Sequence, residues 1–237
     1  MLATDPLVYA KKMITKWVWE RTDGVIQSGP FAGMQLLQEE AWEDDNQSTK
    51  IIGCYEMELH GTIEMEITRL AGKSAKIVNI GCAEGYYAVG IARRLPDAVV
   101  TAADVLSDAI RITRATAAVN NVTNIVISDD VDDMMNGPDL IVMDCEGAEI
   151  NYLDIDKCPG LRRSTVIVEC HDMPERSCTN ILASRFNDTH EVLFCHAEES
   201  RNPNCYPLLR ELASHYRWLA VSEGRPNVMS YLVMRPR

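Results

Sequence analysis

The chain has 237 residues, a length that fits one domain and lets roughly 70–75% of the unfolded surface be buried. Hydrophobic residues make up 46% and charged residues 24%, close to globular averages, which excludes a disordered or fibrous chain. With 35 acidic against 23 basic side chains the formal charge is −12, which disfavours nucleic-acid or anionic-membrane partners, because both need clustered Lys and Arg, and favours a small-molecule substrate.

Residues 1–70 open with an amphipathic stretch from Asp5 to Arg21 that reads as a helix. The GPFAGM segment, Gly29 to Met34, reads as turns, and Tyr55 to Leu70 as a second helix leading into the first strand. This segment is expected to be an N-terminal helical cap packed on one domain formed by residues 71–237. It could shape a substrate pocket, cover a sheet edge or serve a contact between identical subunits. The first thirty residues lack the apolar core and cleavage site of a signal peptide, and no apolar run approaches the ~18 residues of a membrane span. Eight cysteines occur without a C-x-x-C pair, several of them (Cys82, Cys145, Cys170, Cys195) in or beside apolar runs, as expected of reduced thiols in a cytoplasmic protein.

From about Ala75 onward short β-branched runs alternate with helical patterns, the sequence form of an α/β doubly wound, mostly parallel sheet. Seven strands are expected: Lys76 to Ile80, Val99 to Ala103, Asn124 to Ile127, Leu140 to Met143, Thr165 to Val168, Glu191 to Cys195 and Val228 to Met234. A helix from Tyr86 stops at Leu95 before Pro96, and another, capped by Ser107 or Asp108, runs to about Val119 and exits at Asn120-Asn121. A helix around Pro207 to Trp218 and a turn at Glu223 to Pro226 precede the last strand, which in such sheets is often antiparallel. Lys157, Arg162 and Arg163 read as a solvated helix end.

The segment from Val78 to Tyr86 leaves a strand, turns through Gly81 and Gly85 and enters a helix, at the crevice where doubly wound sheets bind ligands. A dinucleotide site wants G-x-G-x-x-G, but Ala83 and Tyr86 occupy the second and third glycine positions, and no G-x-x-x-x-G-K-[ST] loop exists. A ligand without phosphates fits better, and S-adenosylmethionine (SAM) is the expected one, held along Asn79, Gly81, Ala83, Gly85 and Tyr86. Asp104 ends the next strand, where its carboxylate can accept from both ribose hydroxyls, with Val105 beside it. Asp129 or Asp130 after the third strand could accept from an adenine amino group. Beyond the fourth and fifth strands lie Asp144, Glu146, Glu149, Glu169, His171 and Asp172; Glu149 is read as a helix cap, while Asp144, Glu169 and His171 are costly to gather unless used.

The run NIGCAEGYYAVGIA, the acid after strand two, MDCEGAE and VIVECHD together resemble the successive motifs of FkbM-type SAM-dependent methyltransferases over about Val78 to His171. Two departures are Asn79 where that family usually has Asp, and Cys82 for a more usual Ala. The resemblance implies the class I methyltransferase fold, SAM as cofactor and O-methylation of hydroxyls on natural products or sugars. By motif match Gly81, Gly85 and Asp104 would bind SAM while Asp144, Glu146 and His171 face the reacting end. His171, with an ordinary pKa near neutral, is the expected general base, oriented by Asp144 or Glu169. A variant places Mg²⁺ or Mn²⁺ on Asp144, Glu169 and His171 or Asp172. The rival from another class is a non-catalytic nucleoside-binding module with the same fold. His196, Cys195 and Cys205 lack zinc-site spacing.

Overall fold

A computed structural model describes residues 6–39, 47–128, 134–196, 201–225 and 229–237. Strands β1 (Lys76–Ile80), β2 (Val99–Ala103), β3 (Ile125–Ser128), β4 (Leu140–Met143), β5 (Thr165–Cys170), β6 (His190–His196) and β7 (Ser230–Pro236) form one sheet in the order β3-β2-β1-β4-β5-β7-β6. β1 to β5 pair in parallel, and β7 runs antiparallel to both β5 and β6. β1, β2 and β4 match the expected bounds residue for residue. β5 continues two residues further, so that Glu169 and Cys170 still pair with Tyr231 and Ser230 and lie within the ladder rather than beyond it.

The helices are α1 (Pro6–Thr22), α2 (Gln47–Ile52), α3 (His60–Leu70), α4 (Tyr86–Arg94), α5 (Ser107–Val119), α6 (Glu149–Tyr152), α7 (Cys178–Phe186) and α8 (Ser214–Val221). The expected Tyr55–Leu70 helix begins late because Glu56 takes a left-handed φ of 46°, which breaks the helical path, and a 3₁₀ turn at Met57–Leu59 leads into α3. The single helix expected at Pro207–Trp218 is two pieces, a 3₁₀ turn at Pro207–Glu211 and α8, separated by extended backbone at Leu212 and Ala213. Neither Ser107 nor Asp108 caps α5: Leu106 sits at the cap, and its N–H donates 2.9 Å to Asp104 Oδ1. Arg162 and Arg163 end an exposed 3₁₀ turn.

Period-two alternation divides the strand side chains between the sheet's two faces. Ile77, Leu140, Val142, Ile167, Tyr231 and Val233 join one apolar cluster, which also takes Ile14 and Val18 from α1 and Ile51 and Ile52 from α2. Val78, Ile80, Ile141, Met143, Val166, Val168, Leu232 and Met234 join the other, beneath α7. Burial on both faces explains why the central strands read as continuous apolar runs. The N-terminal segment is fastened to the C-terminal one by Lys11, whose Nζ donates to the carbonyls of Leu219 (3.2 Å), Ala220 (3.4 Å) and Ser222 (2.6 Å) where α8 ends. There a cation meets unsatisfied carbonyls and the negative end of the helix dipole. Among the described residues no helix is long and apolar enough to cross a membrane.

Register positions the site. Ile80 pairs with Ala103 and with Met143, and Met143 with Val168, so Gly81, Asp104, Asp144 and Glu169 emerge side by side at the carboxyl ends of four adjacent strands. Strand order reverses between β1 and β4, which makes this the ligand-binding crevice of a doubly wound sheet.

Candidate active site

The loop after β1 is shaped by backbone that only small residues tolerate. Gly81 has φ +76°, and a Cβ there would lie 1.5 Å from the Asp144 carbonyl oxygen, so its lack of a side chain lets the loop pass against the end of β4. Ala83 also takes a positive φ, 46°, and its N–H donates 3.0 Å to Asp104 Oδ2. Asp104 thus ties the β1 loop to the start of α5, one amide on each oxygen, and is 7% exposed. Each carboxylate oxygen can accept a second hydrogen bond, so a diol remains within its capacity. Val105, 88% exposed, offers an apolar side chain beside it. Asn79 is buried in β1; its Nδ2 donates 3.1 Å to the Val142 carbonyl, while its Oδ1 is buried with no partner. Asp129 and Asp130, the candidates for an adenine contact, lie outside the described residues.

A cleft of about 260 Å³ runs from Asp104 and Val105 over Gly81 and Ala83 to Asp144 and Tyr152. A smaller chamber of about 50 Å³ opens towards Glu56, Asn79, Tyr86, Tyr87, Glu169 and Tyr231. The two spaces share Lys50, Tyr55, Gly81, Ala83, Glu84 and Asp144. Asn79 Oδ1, Asp144 Oδ1 and the Tyr231 hydroxyl are all buried without a hydrogen-bond partner and belong to residues lining the chamber, so its wall is polar and under-satisfied. Small side chains in the loop, an acid at the end of β2 and unpartnered polar atoms beyond fit a nucleoside carrying a zwitterionic tail, which describes SAM.

Beyond β4 and β5 the structure gathers Asp144, Glu146, Glu149 and His171. His171 Nδ1 is 2.8 Å from Glu149 Oε1, and its Nε2 lies 3.3 Å from Glu146 Oε2 and 3.7 Å from Asp144 Oδ1. Glu149, read from sequence as a helix cap, is fully buried; it accepts from Gly147 N–H at 3.0 Å and holds His171 as well. The expected orienting residue Glu169 does not reach His171: it pairs with Arg225, which also holds Glu56 at 3.0 Å and Glu223 at 2.7 Å. Asp172 is likewise spent, accepting from Thr179 N–H (2.9 Å), Thr179 Oγ1 (2.8 Å) and Ser177 Oγ (3.1 Å) at the start of α7. The metal set Asp144, Glu169, His171 or Asp172 is therefore not assembled. Asp144, Glu149 and His171 instead offer ligand atoms within 4.8 Å of one another.

The electrostatics differ from those of an ordinary imidazole. Burial opposes charge on His171, but the Glu149 hydrogen bond and the carboxylates of Asp144, Glu149 and Glu146 outweigh it and raise the pKa to about 9. The near-neutral base expected from sequence is thus held as an imidazolium. Asp144 moves the other way for a carboxylate. Its side chain is 41% exposed overall, yet Oδ1 is enclosed, and this burial with the Glu56 and Glu146 charges pushes the pKa up to about 7 against the pull of His171 and Arg225. Burial beside Glu56 and Asp144 likewise pushes Glu169 up to about 9.

Sequence reasoning missed Lys50, Tyr55, Glu56 and the ion-pair set Glu58, Arg201, Glu223 and Arg225. Glu223 has no exposed side-chain surface and joins Arg201, Arg225 and the Glu56 N–H. These residues lie outside the glycine loop and the strand-end motifs, and no spacing or motif in the sequence marks them.

The family model for the methyltransferase small domain matches residues 62–144, from α3 to the end of β4. No curated protein matches the chain. Among solved structures, precorrin-6y C5,15-methyltransferase from Geobacter metallireducens is similar at 10% identity and TM-score 0.50, covering 75% of this chain and 89% of that one. A Klebsiella pneumoniae protein assigned as an O-methyltransferase is similar at 11% identity and TM-score 0.50, covering 99% and 92%. Cofactor-bound Rv0187 from MTB is similar at 9% identity and TM-score 0.50, covering 100% and 93%. The FkbM resemblance rests on the motifs alone. What strand order, the antiparallel β7 and these structures establish together is that the chain has the class I methyltransferase fold.

Proposed function

We propose that this protein is a SAM-dependent methyltransferase that O-methylates a hydroxyl of a small polar metabolite, natural product or sugar. The observation that carries the reading is the cleft at the strand-order reversal, with Asp104 at one end and the Asp144–His171–Glu149 group at the other. Gly81, Ala83 and Asp104 hold the nucleoside end, and Asp144 and His171 meet the acceptor. The cofactor supplies an electrophilic methyl group, so the protein's main task is to hold the acceptor oxygen in line, worth on the order of 7–11 kcal/mol in the best model systems.

Of the two titratable partners at that end, Asp144 with a pKa of about 7 is better matched to accept the hydroxyl proton near neutral pH. His171, kept cationic by Glu149, donates from Nε2 and orients the acceptor. Glu146 is mostly exposed at the mouth, within reach of the same Nε2.

Calorimetric titration with SAM and with NAD⁺ tests the cofactor. SAM should bind saturably and NAD⁺ should not, and Asp104→Ala should weaken SAM by about 10- to 100-fold through loss of charge-assisted hydrogen bonds. A wild-type protein that ignores SAM defeats the proposal. Bound SAM that no hydroxylated acceptor ever demethylates would favour the non-catalytic module.

A second reading, Mg²⁺ or Mn²⁺ at the reacting end, is favoured by the three ligand atoms within 4.8 Å. His171 must lose its proton to ligate, so metal affinity should climb as pH rises towards 9. Activity that survives EDTA unchanged at pH 7 and pH 9 removes this reading.

A further inference from the structure

The crevice is acidic, yet the tail of its proposed ligand carries a carboxylate. The cleft and chamber are lined by Glu56, Glu84, Asp104, Asp144, Glu146 and Glu169, and among the described lining residues Lys50 is the only base. A carboxylate brought among those acids, in a poorly solvated space, would lack a counter-charge unless a cation stood beside it. Lys50 stands where that tail must go. Asp104 and Val105 mark the nucleoside end of the cleft, so the rest of the ligand runs over Gly81 and Ala83 towards the residues shared with the chamber, and Lys50 is one of them.

The local build of the N-terminal segment fixes this lysine. All six residues of α2 are buried, and Ile51 and Ile52 anchor it in the core cluster beside β1. Lys50 is 5% exposed, pairs with Glu84 and lies 4.7 Å from the centre of the Tyr55 ring. A lysine ammonium can donate up to three hydrogen bonds, so it can bridge Glu84 and a second carboxylate at once. Glu84 and Gly85 lead directly into α4, whose first-turn amides add a positive end to the same corner.

We propose that Lys50 is a cofactor-binding residue that pairs with the α-carboxylate of the cofactor's methionyl end, making α2 and the turn at Tyr55 and Glu56 one wall of the cofactor site. The inference rests on the SAM reading above and assigns the N-terminal segment a part in it: the sheet binds the nucleoside and the cap binds the amino acid.

The test compares two ligands of the full chain by calorimetry, S-adenosylhomocysteine and 5′-methylthioadenosine, which shares the nucleoside thioether but lacks the amino-acid end. Lys50→Met should weaken S-adenosylhomocysteine by about 10- to 100-fold, the range of a lost hydrogen bond to a charged group, and leave 5′-methylthioadenosine within about 3-fold. Because that substitution strands Glu84 in the interior, Lys50→Met/Glu84→Gln removes both charges and should show the same selective loss. Retained 5′-methylthioadenosine binding certifies that each variant folds. If the double variant loses both ligands in parallel, or neither, Lys50 does not read the carboxylate and the proposal is overturned. If the wild-type chain binds neither ligand, the SAM reading itself has failed.

Discussion

Gly81→Ala is expected to destabilise the protein by about 3–5 kcal/mol, or to prevent folding, because it adds overpacking to a backbone strain that no side chain relieves. The added Cβ would sit 1.5 Å from the Asp144 carbonyl oxygen, inside covalent-bond range, and φ is +76°. Relief requires moving backbone, since the obstacle is the end of β4 and not the tip of a flexible side chain. That movement would open the pairing in which Asp144 N–H donates 3.0 Å to the Ile80 carbonyl and Gly81 N–H donates 2.9 Å to Ala103. Both flanking strand ends would shift, and with them Asp104 and Asp144. Denaturant unfolding checks the magnitude. Gly61→Ala is the control: Gly61 lies in α3 with nothing within 4 Å of an added Cβ, so it should stabilise by roughly 0.5–1 kcal/mol. A Gly81→Ala protein as stable as wild type would mean that the close approach of β1 and β4 is not required by the fold.

The strands that carry the site were legible because their chemistry is local. β1, β2 and β4 are buried on both faces and so spell out as short β-branched runs ended by Gly or Asp. The glycine loop and Asp104 were legible for the same reason, since a tight turn and a strand-end acid each leave a mark within a few residues. What stayed hidden depends on long-range burial. α2 has six residues and no room for helical periodicity; it forms because every one of them is enclosed by the core. α7 was hidden behind Asp172, whose carboxylate looked like a site acid but is spent at the helix start on Thr179 and Ser177. Glu149 and Glu169 exchanged roles between sequence and structure: the apparent cap holds the histidine, and the apparent partner serves Arg225. Strand-end position puts an acid at the crevice, but only packing decides which way its carboxylate turns.

Glu149→Gln should lower the His171 pKa from about 9 towards its ordinary value near 6.5, since it removes the largest of the contributions that together outweigh desolvation of the imidazolium. The folded-state pKa of His171 is raised, so its contribution to stability is fully present below about pH 6.5 and is lost as pH rises through about 9. Asp144 and Glu169, raised to about 7 and about 9, add losses of the same sign in both proteins. The variant should therefore be less stable than wild type at pH 6 and closer to it at pH 9.5, which urea unfolding at the two pH values reads directly. A substitution that merely disturbed packing would lower stability equally at both. Catalysis should follow the same proton: a His171 that is neutral at pH 8 offers the acceptor at most an uncharged N–H in place of a charge-assisted one, so kcat should drop by about 10-fold there, the difference between charged and neutral hydrogen bonds. The alkaline limb of kcat/KM should move down by at least about one pH unit. An alkaline limb that stays near pH 9 would show that another group sets it and would separate His171 from the reaction, whereas a shifted limb with an unchanged SAM affinity identifies Glu149 as the positioning residue behind it.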